Sequence, residues 1–385
     1  MFEIENVQLQ DAVIKVIGVG GCGGNAVDHM IEKGVQGVEF IVINTDAQAL
    51  NRNKAQTQLQ IGATITKGLG AGAIPDVGRA AAEEDRERIA DLIRGANMIF
   101  ITAGMGGGTG TGAAPIVAKI AKEMDILTVA VVTKPFLHEG KRMRLAQAGI
   151  EALCESVDSL IIVPNEKLMS VLGEDTSLLD AFSASNSVLQ GAVAGIAEVI
   201  NVPGLMNVDF ADVRTLMSEN GMAMMGSATA SGSDRAKLAA ERAMSSPLLE
   251  DVNLAGARGV LINISSSSKL TLREFKEITN SVQFAIEEAT VIVGSVFDES
   301  MGDELRVTIV ATGLGSPLER KQIKPELVYG QRTGTHNEPI FTGNYKELEM
   351  PAVIRNGRHR EAVEAMKQSG IDTLDIPSFL RKQAD

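Results

Sequence analysis

Tryptophan is absent from this chain, tyrosine occurs twice, and aromatic residues make up only 3% of the sequence. The core must therefore be built from Val, Ile, Leu, Ala and Met, and recognition of nucleic acid by stacking bases on exposed rings has little to work with. Cysteine is nearly missing too. Cys22 and Cys154 form neither a metal-ligand spacing nor a disulfide framework, which points to a reducing compartment, by default the cytoplasm. No apolar run reaches the roughly 18 residues of a membrane span. The opening Met1-Phe-Glu-Ile-Glu has no apolar stretch of the kind that directs export. Basic residues are in deficit, 36 Lys and Arg against 49 Asp and Glu, for a net charge of −13. That balance argues against direct binding to nucleic acid or to an anionic membrane.

What the chain has in quantity is glycine. The run Gly104-Met-Gly-Gly-Gly-Thr-Gly-Thr-Gly112 lies between the apolar stretch 98–102 and a helical pattern over 113–124. Glycine loses more conformational entropy on folding than any other residue, so a cluster must be offset by something only bare backbone can do. Successive N–H groups with no Cβ in the way form a nest for an anion, and a following helix aims its positive end at the same point. Phosphate fits such a nest, and the hydroxyls of Thr109 and Thr111 offer further donors. No Lys follows, so this is not the Walker P-loop. A second run, Gly18-Val-Gly20-Gly21-Cys22-Gly23-Gly24-Asn25, carries G-x-G-x-x-G after a strand, with Asp46 at the end of the next strand. Alone it reads as a dinucleotide fingerprint, and hence an NAD-dependent oxidoreductase, or as glycines that merely let a helix approach a strand. Two phosphate-facing loops together favour a nucleoside di- or triphosphate.

At 385 residues the chain is longer than one core usually supports, so two domains and an extension are expected. Short β-branched runs at 13–19, 38–44, 98–102, 127–132 and 159–163 alternate with helical patterns, the rhythm of a doubly wound α/β domain with a mainly parallel sheet. Residues 177–202 read as one long helix ended by Pro203-Gly204, and a second, α+β domain follows with strands at 259–264, 290–296 and 305–312. Beyond Gly315 periodicity is lost and Pro, Gly and Asn gather, as in a flexible linker. The last residues turn apolar again, as a docking peptide would.

The run 104–112 resembles the tubulin signature loop. With residues 18–25, Asn44-Thr-Asp46, 68–75, 207–213 and the closing Leu374-Asp-Ile-Pro-Ser-Phe-Leu-Arg-Lys-Gln383, the chain resembles the FtsZ family of tubulin-like GTPases of bacterial cell division. The resemblance covers about 11–316 and the extreme C-terminus. It implies a GTP-binding domain over 11–176, a central helix over 177–203, a GTPase-activating domain over 204–316, a linker over 317–370 and a docking peptide over 371–385.

By the same resemblance, Gly20, Gly21, Cys22, Gly23, Gly24 and Asn25, with Gly106, Gly107, Gly108, Thr109 and Gly110, bind the phosphates. Ala71 and Gly72 approach the γ-phosphate; Thr133, Glu139 and Arg142 serve the ribose side; Phe182 and Asn186 face the guanine; Gly104, Asn165 and Ser187 belong to the nucleotide site as well. Asp209, Asp212 and Asn207 are the expected catalytic set. GTP and GDP with Mg²⁺ are the expected ligands. The partners would be further copies of the chain, head to tail, and, through Leu374, Asp375, Ile376, Pro377, Phe379, Leu380, Arg381 and Lys382, membrane-tethering adaptors and division regulators at mid-cell.

Several positions depart from the family pattern. Ser187 replaces an Asp that accepts from guanine, Cys22 replaces a glycine, Ile74 replaces a polar residue, and the segment 139–144 is one residue short, so that Arg142 rather than Arg144 is a choice. For Asp209 and Asp212, helix capping stands beside catalysis as a reading of the residues themselves.

Overall fold

The computed structural model describes residues 12–173, 176–202, 204, 206, 208–219, 221–249, 256–285 and 289–314. Asn207, the expected linker and the expected docking peptide lie outside them. The strands are β1 (Ile14–Val19), β2 (Glu39–Asn44), β3 (Thr57–Gln60), β4 (Met98–Gly104), β5 (Leu127–Lys134), β6 (Ser159–Pro164), β7 (Gly221–Ser231), β8 (Gly259–Ser266), β9 (Thr290–Phe297) and β10 (Glu304–Leu314). The helices are α1 (Gly20–Glu32), α2 (Ala47–Arg52), α3 (Ala63–Thr66), α4 (Pro75–Glu84), α5 (Arg86–Ile93), α6 (Thr109–Glu123), α7 (Gly140–Cys154), α8 (Asn165–Leu172), α9 (Leu178–Asn201), α10 (Phe210–Met217), α11 (Arg235–Met244) and α12 (Leu272–Ala285).

All the strands join one sheet in the order β3-β2-β1-β4-β5-β6-β7-β10-β8-β9. The first six are parallel. β4 and β5 run almost wholly apolar because both of their faces are covered. Alternation along the strands divides the core: Val16, Val42, Phe100 and Val129 face α1 and α9, while Ile17, Ile43, Ile101 and Val132 face the layer of α4 to α7. The second half of the sheet is mixed. β10 runs antiparallel to both β7 and β8, and α11 and α12 cover it through Ala236, Ala239, Ile278 and Val282. The halves meet where Ser159, Leu160 and Ile161 of β6 pair with Gly221, Met222 and Ala223 of β7.

Helix α9 runs along this seam. Ser177 caps it, accepting from Asp180 N at 3.1 Å, and Leu189, Val193 and Ile196 form its buried stripe. Toward the second half it packs on Met225, Leu261 and Val310 and adds polar contacts: Asn263 Nδ2 donates to Gly195 O at 3.1 Å, and Arg306 Nη2 donates to Glu198 Oε2 at 3.0 Å. Burial pushes the Glu198 carboxyl up, and Arg306 opposes the shift.

Candidate nucleotide site

Order in the sheet reverses between β1 and β4: β1 is followed by β2 on one side, while β4 leads on to β5 on the other. Ligands of open α/β sheets lie beyond the strand ends at such a point, and there a cavity of about 310 Å³ opens. Val19, Gly104 and Thr133 bring it the carboxyl ends of three strands; Gly21, Cys22, Gly107, Gly108, Thr109 and Gly110 bring it the starts of two helices.

The glycine run at 18–25 is a helix start rather than a loop, and that at 104–112 is a loop only over residues 105–108 before its helix begins. α1 begins at Gly20 and α6 at Thr109, four residues before the segment expected to be helical. Their first N–H groups have no partner within the helix, so two positive dipole ends converge on the cavity. Gly20 makes this convergence possible. Its φ of +75° favours glycine, and a Cβ there would stand 2.8 Å from Gly110 N.

Not every expected phosphate ligand faces the cavity. A Cβ on Gly23 would meet Thr102 O at 2.4 Å, and one on Gly24 would meet Asn53 and Val42, so these two serve the packing of α1. Gly106 is turned toward Arg142 O and Pro135, and its N–H donates to Thr111 Oγ1 at 2.8 Å. The Thr111 hydroxyl expected to offer phosphate a donor therefore braces the loop instead. Thr109 does line the cavity, its hydroxyl 2.7 Å from that of Thr45. Asn25 is exposed and is not among the lining residues. Ala71 lies behind Gly108, where a Cβ would come within 2.9 Å of the alanine methyl, and Gly72 is exposed beside it. Neither lines the cavity.

Cys22 fits because Gly104 has no side chain: a Cβ on Gly104 would lie 2.7 Å from the sulfur. Although Cys22 opens onto the cavity, the protein atoms around its sulfur push the thiol pKa up, against a hydrogen bond shared with the Thr133 hydroxyl and the charge of Arg142. The result is a neutral thiol rather than a nucleophile.

On the far wall Glu139 accepts from Phe136 N at 3.1 Å and from Arg142 Nη1 at 2.6 Å. Arg142 lines the cavity and Arg144 does not. Buried Asn165 accepts from the Ser185 hydroxyl at 3.1 Å. Phe182, 47% exposed, lines the cavity and meets Phe136 in a T-shaped contact at 6.2 Å. Asn186 follows one turn later on α9, outside the lining. Ser187 Oγ donates to Ser183 O at 3.0 Å and lies 3.1 Å from His29 Nε2, so its hydroxyl is already engaged on both sides. Met105 and Pro135 also line the cavity; Pro135 lies in Thr133-Lys-Pro-Phe136, a stretch the sequence places beyond a strand end, and Met105 inside a run read for its glycines.

Asp46 caps α2, accepting from Gln48 N at 2.8 Å and Ala49 N at 3.3 Å, which occupies the acid a dinucleotide reading needs for the ribose. Asp209 is also a cap: it accepts from Asp212 N at 2.8 Å at the start of α10. Both aspartates are exposed, and neither lines the cavity. Arg214 of α10 meets Asp125, two residues before β5, whereas the cavity lies at the other end of β5, at Thr133. The helix that carries the acidic pair and the cavity thus stand at opposite ends of β5, a strand of eight residues about 25 Å long.

Residues 13–173 match the family model described as Tubulin/FtsZ family, GTPase domain, and residues 221–315 match FtsZ family, C-terminal domain. The chain is 58% identical to the cell division protein FtsZ of Pseudomonas aeruginosa over 100% of both chains, and 54% identical to that of Coxiella burnetii over 99% of each. Among solved structures, an empty FtsZ dimer from M. jannaschii superposes with a TM-score of 0.75 at 44% identity, covering 79% of this chain and 89% of that one. CetZ2 from Haloferax volcanii, at 21% identity and a TM-score of 0.67, shares the fold over 79% of this chain and 93% of its own. Fold and site together define a tubulin-like GTPase. Within that class, the chain belongs to the FtsZ family.

Proposed function

We propose that this GTPase of the cell-division cytoskeleton hydrolyses GTP at the junction between two copies, the nucleotide lying in the cavity of one and Asp209 and Asp212 coming from the next. The observation that carries this reading is the separation of cavity and acidic pair to opposite ends of β5. Two carboxylates beside a triphosphate in one subunit would repel it. Divided between subunits, they meet it only on assembly. A contact between opposite ends is heterologous and does not close, so it propagates as a filament.

Phosphoryl transfer asks the protein for positioning and charge stabilisation more than for covalent chemistry. The N–H groups at the starts of α1 and α6 hold the phosphates, Glu139 and Arg142 the ribose side, and Phe182 the base. Asn186 is the nearer candidate for reading guanine, since the Ser187 hydroxyl is already bonded. Asp212 and Asp209 orient the attacking water. Magnesium suits a site with the Thr109 hydroxyl and phosphate oxygens as hard donors; among the described residues no cluster of three or more His, Cys, Asp or Glu forms a cage. The metal would supply charge neutralisation to the phosphate held there. Residues 11–176 form the binding part and 204–316 the activating part, joined by 177–203. The closing peptide 371–385 holds adaptors that bring filaments to the mid-cell membrane.

Turnover per subunit, measured with Mg²⁺ against protein concentration, tests the reading. A threshold concentration is expected, together with a loss of about a hundredfold or more in Asp212→Ala. A flat profile with full activity in that variant contradicts it.

A further inference from the structure

We propose that Arg214 is a positioning residue for hydrolysis: its ion pair with Asp125 ties the helix that presents Asp209 and Asp212 to the far end of the helix whose start walls the nucleotide cavity. The proposal rests on the reading of Asp209 and Asp212 given above.

Helix α10 has two allegiances. Val213, Leu216 and Met217 are buried, and Thr312 Oγ1 donates to Leu216 O at 3.0 Å, which fastens this face to the second half of the sheet. Arg214 reaches the other way. Its Nη2 donates to Asp125 Oδ1 at 2.8 Å and to Asp125 O at 3.4 Å. Two residues apart on a helix point to nearly opposite sides, so while Asp212 is exposed for a neighbour, Arg214 grips its own subunit.

The partner is built for this grip. Asp125 follows the last residue of the α6 C-cap and takes a φ of +57°, which few side chains tolerate and Asp tolerates better than most. That turn presents carboxylate and carbonyl to one guanidinium, at the negative end of the α6 dipole. Nearby charges are engaged elsewhere: Lys122 Nζ donates to Glu155 O, and Asp158 Oδ2 accepts from Thr128 N. A cavity of about 50 Å³ opens beside the pair, so packing alone does not lock α10 to α6 at this point.

With 15 residues, α6 is a rod of about 22 Å running from Thr109 in the cavity wall to this contact. It links the nucleotide held at one end of a subunit to the acidic pair that the same subunit lends at the other. An exposed ion pair adds little to global stability, but a small misplacement of a catalytic group costs much rate. The role should therefore show in turnover and hardly in unfolding.

The test uses the full chain above its assembly threshold with saturating GTP and Mg²⁺. Arg214→Glu and Asp125→Arg should each lower turnover per subunit about tenfold, with the urea midpoint and GTP binding by unassembled protein unchanged. The exchanged pair, carrying both substitutions, should return to within about twofold of the original, and Arg214→Lys should keep most of the activity. Full turnover in the single variants overturns the proposal, as does an exchanged pair no better than the worse single. Should a single variant fail to assemble, the exchanged pair must restore assembly and turnover together, and its failure counts equally against the idea. Asp212→Ala, run in parallel, separates the two readings: its full activity removes the acidic-pair mechanism itself, whereas its inactivity beside an unaffected Arg214→Glu removes only the positioning role.

Discussion

Single glycines here separate binding from folding. A Cβ built on Gly21 or Gly107 meets no protein atom within 4 Å, whereas one on Gly112 would stand 2.0 Å from Pro75 O. Gly21 lies in the first turn of α1, where Ala is favoured over Gly by up to about 1 kcal/mol. Gly21→Ala should therefore unfold at the same or a higher urea concentration while binding GTP about tenfold more weakly, as a methyl enters the space meant for phosphate. Gly112→Ala should lose about 1–3 kcal/mol to overpacking. Equilibrium unfolding and titration with a fluorescent GTP analogue read both effects, and undiminished affinity in Gly21→Ala would count against the site. Residue types were legible from sequence, but pairings were not. Nothing in the order of residues says that the sulfur of Cys22 fills the place Gly104 leaves empty, or that Thr111 turns inward to hold Gly106.

Elements were read best where their periodicity is strong. β1, β2, β4, β5, β6, β8, β9, β10 and α9 announce themselves by apolar runs or stripes. β3 does not: in Thr57-Gln-Leu-Gln60 only Leu59 is buried, so an edge strand offers no pattern to see. The starts of α1 and α6 were missed for the opposite reason. Glycine is a poor helix former, and local propensity yields here to tertiary context. Between α11 and α12 the chain relies on charge: Arg235 Nε donates to Glu274 Oε1 at 2.6 Å, the two side chains only 8% and 15% exposed. Arg235, with help from Thr271, holds the Glu274 carboxyl at about 2. A depressed carboxylate stabilises the fold above its unfolded pKa, and that support is lost as pH falls through the folded value. About 3 kcal/mol should thus disappear between roughly pH 4.5 and 2. Glu274→Gln should be less stable by a similar amount at pH 7 and should show a flatter stability profile below pH 4.5 in urea titrations.

For the molecule as a whole, the sequence suggested two domains and the structure joins them in one sheet, through three registered pairs that no local pattern could foretell. Asp209 is a cap in the structure, and the catalytic role proposed for it can be told apart from capping. Asp209→Asn keeps a good cap and should hold its melting temperature while turnover falls; Asp209→Ala should lose turnover and about 1 kcal/mol of stability as well. Equal stability in the two variants would remove the capping role, and full turnover in Asp209→Asn would remove the chemical one. Cavity and acidic pair lie toward opposite ends of β5, so if hydrolysis proceeds as proposed above, an open row of subunits always has a last member whose nucleotide no neighbour attacks. On that reading the spent fraction depends on length: a pair consumes half of its triphosphate and long rows nearly all, so fragmentation by shear should slow phosphate release and leave intact nucleotide at one tip of every piece.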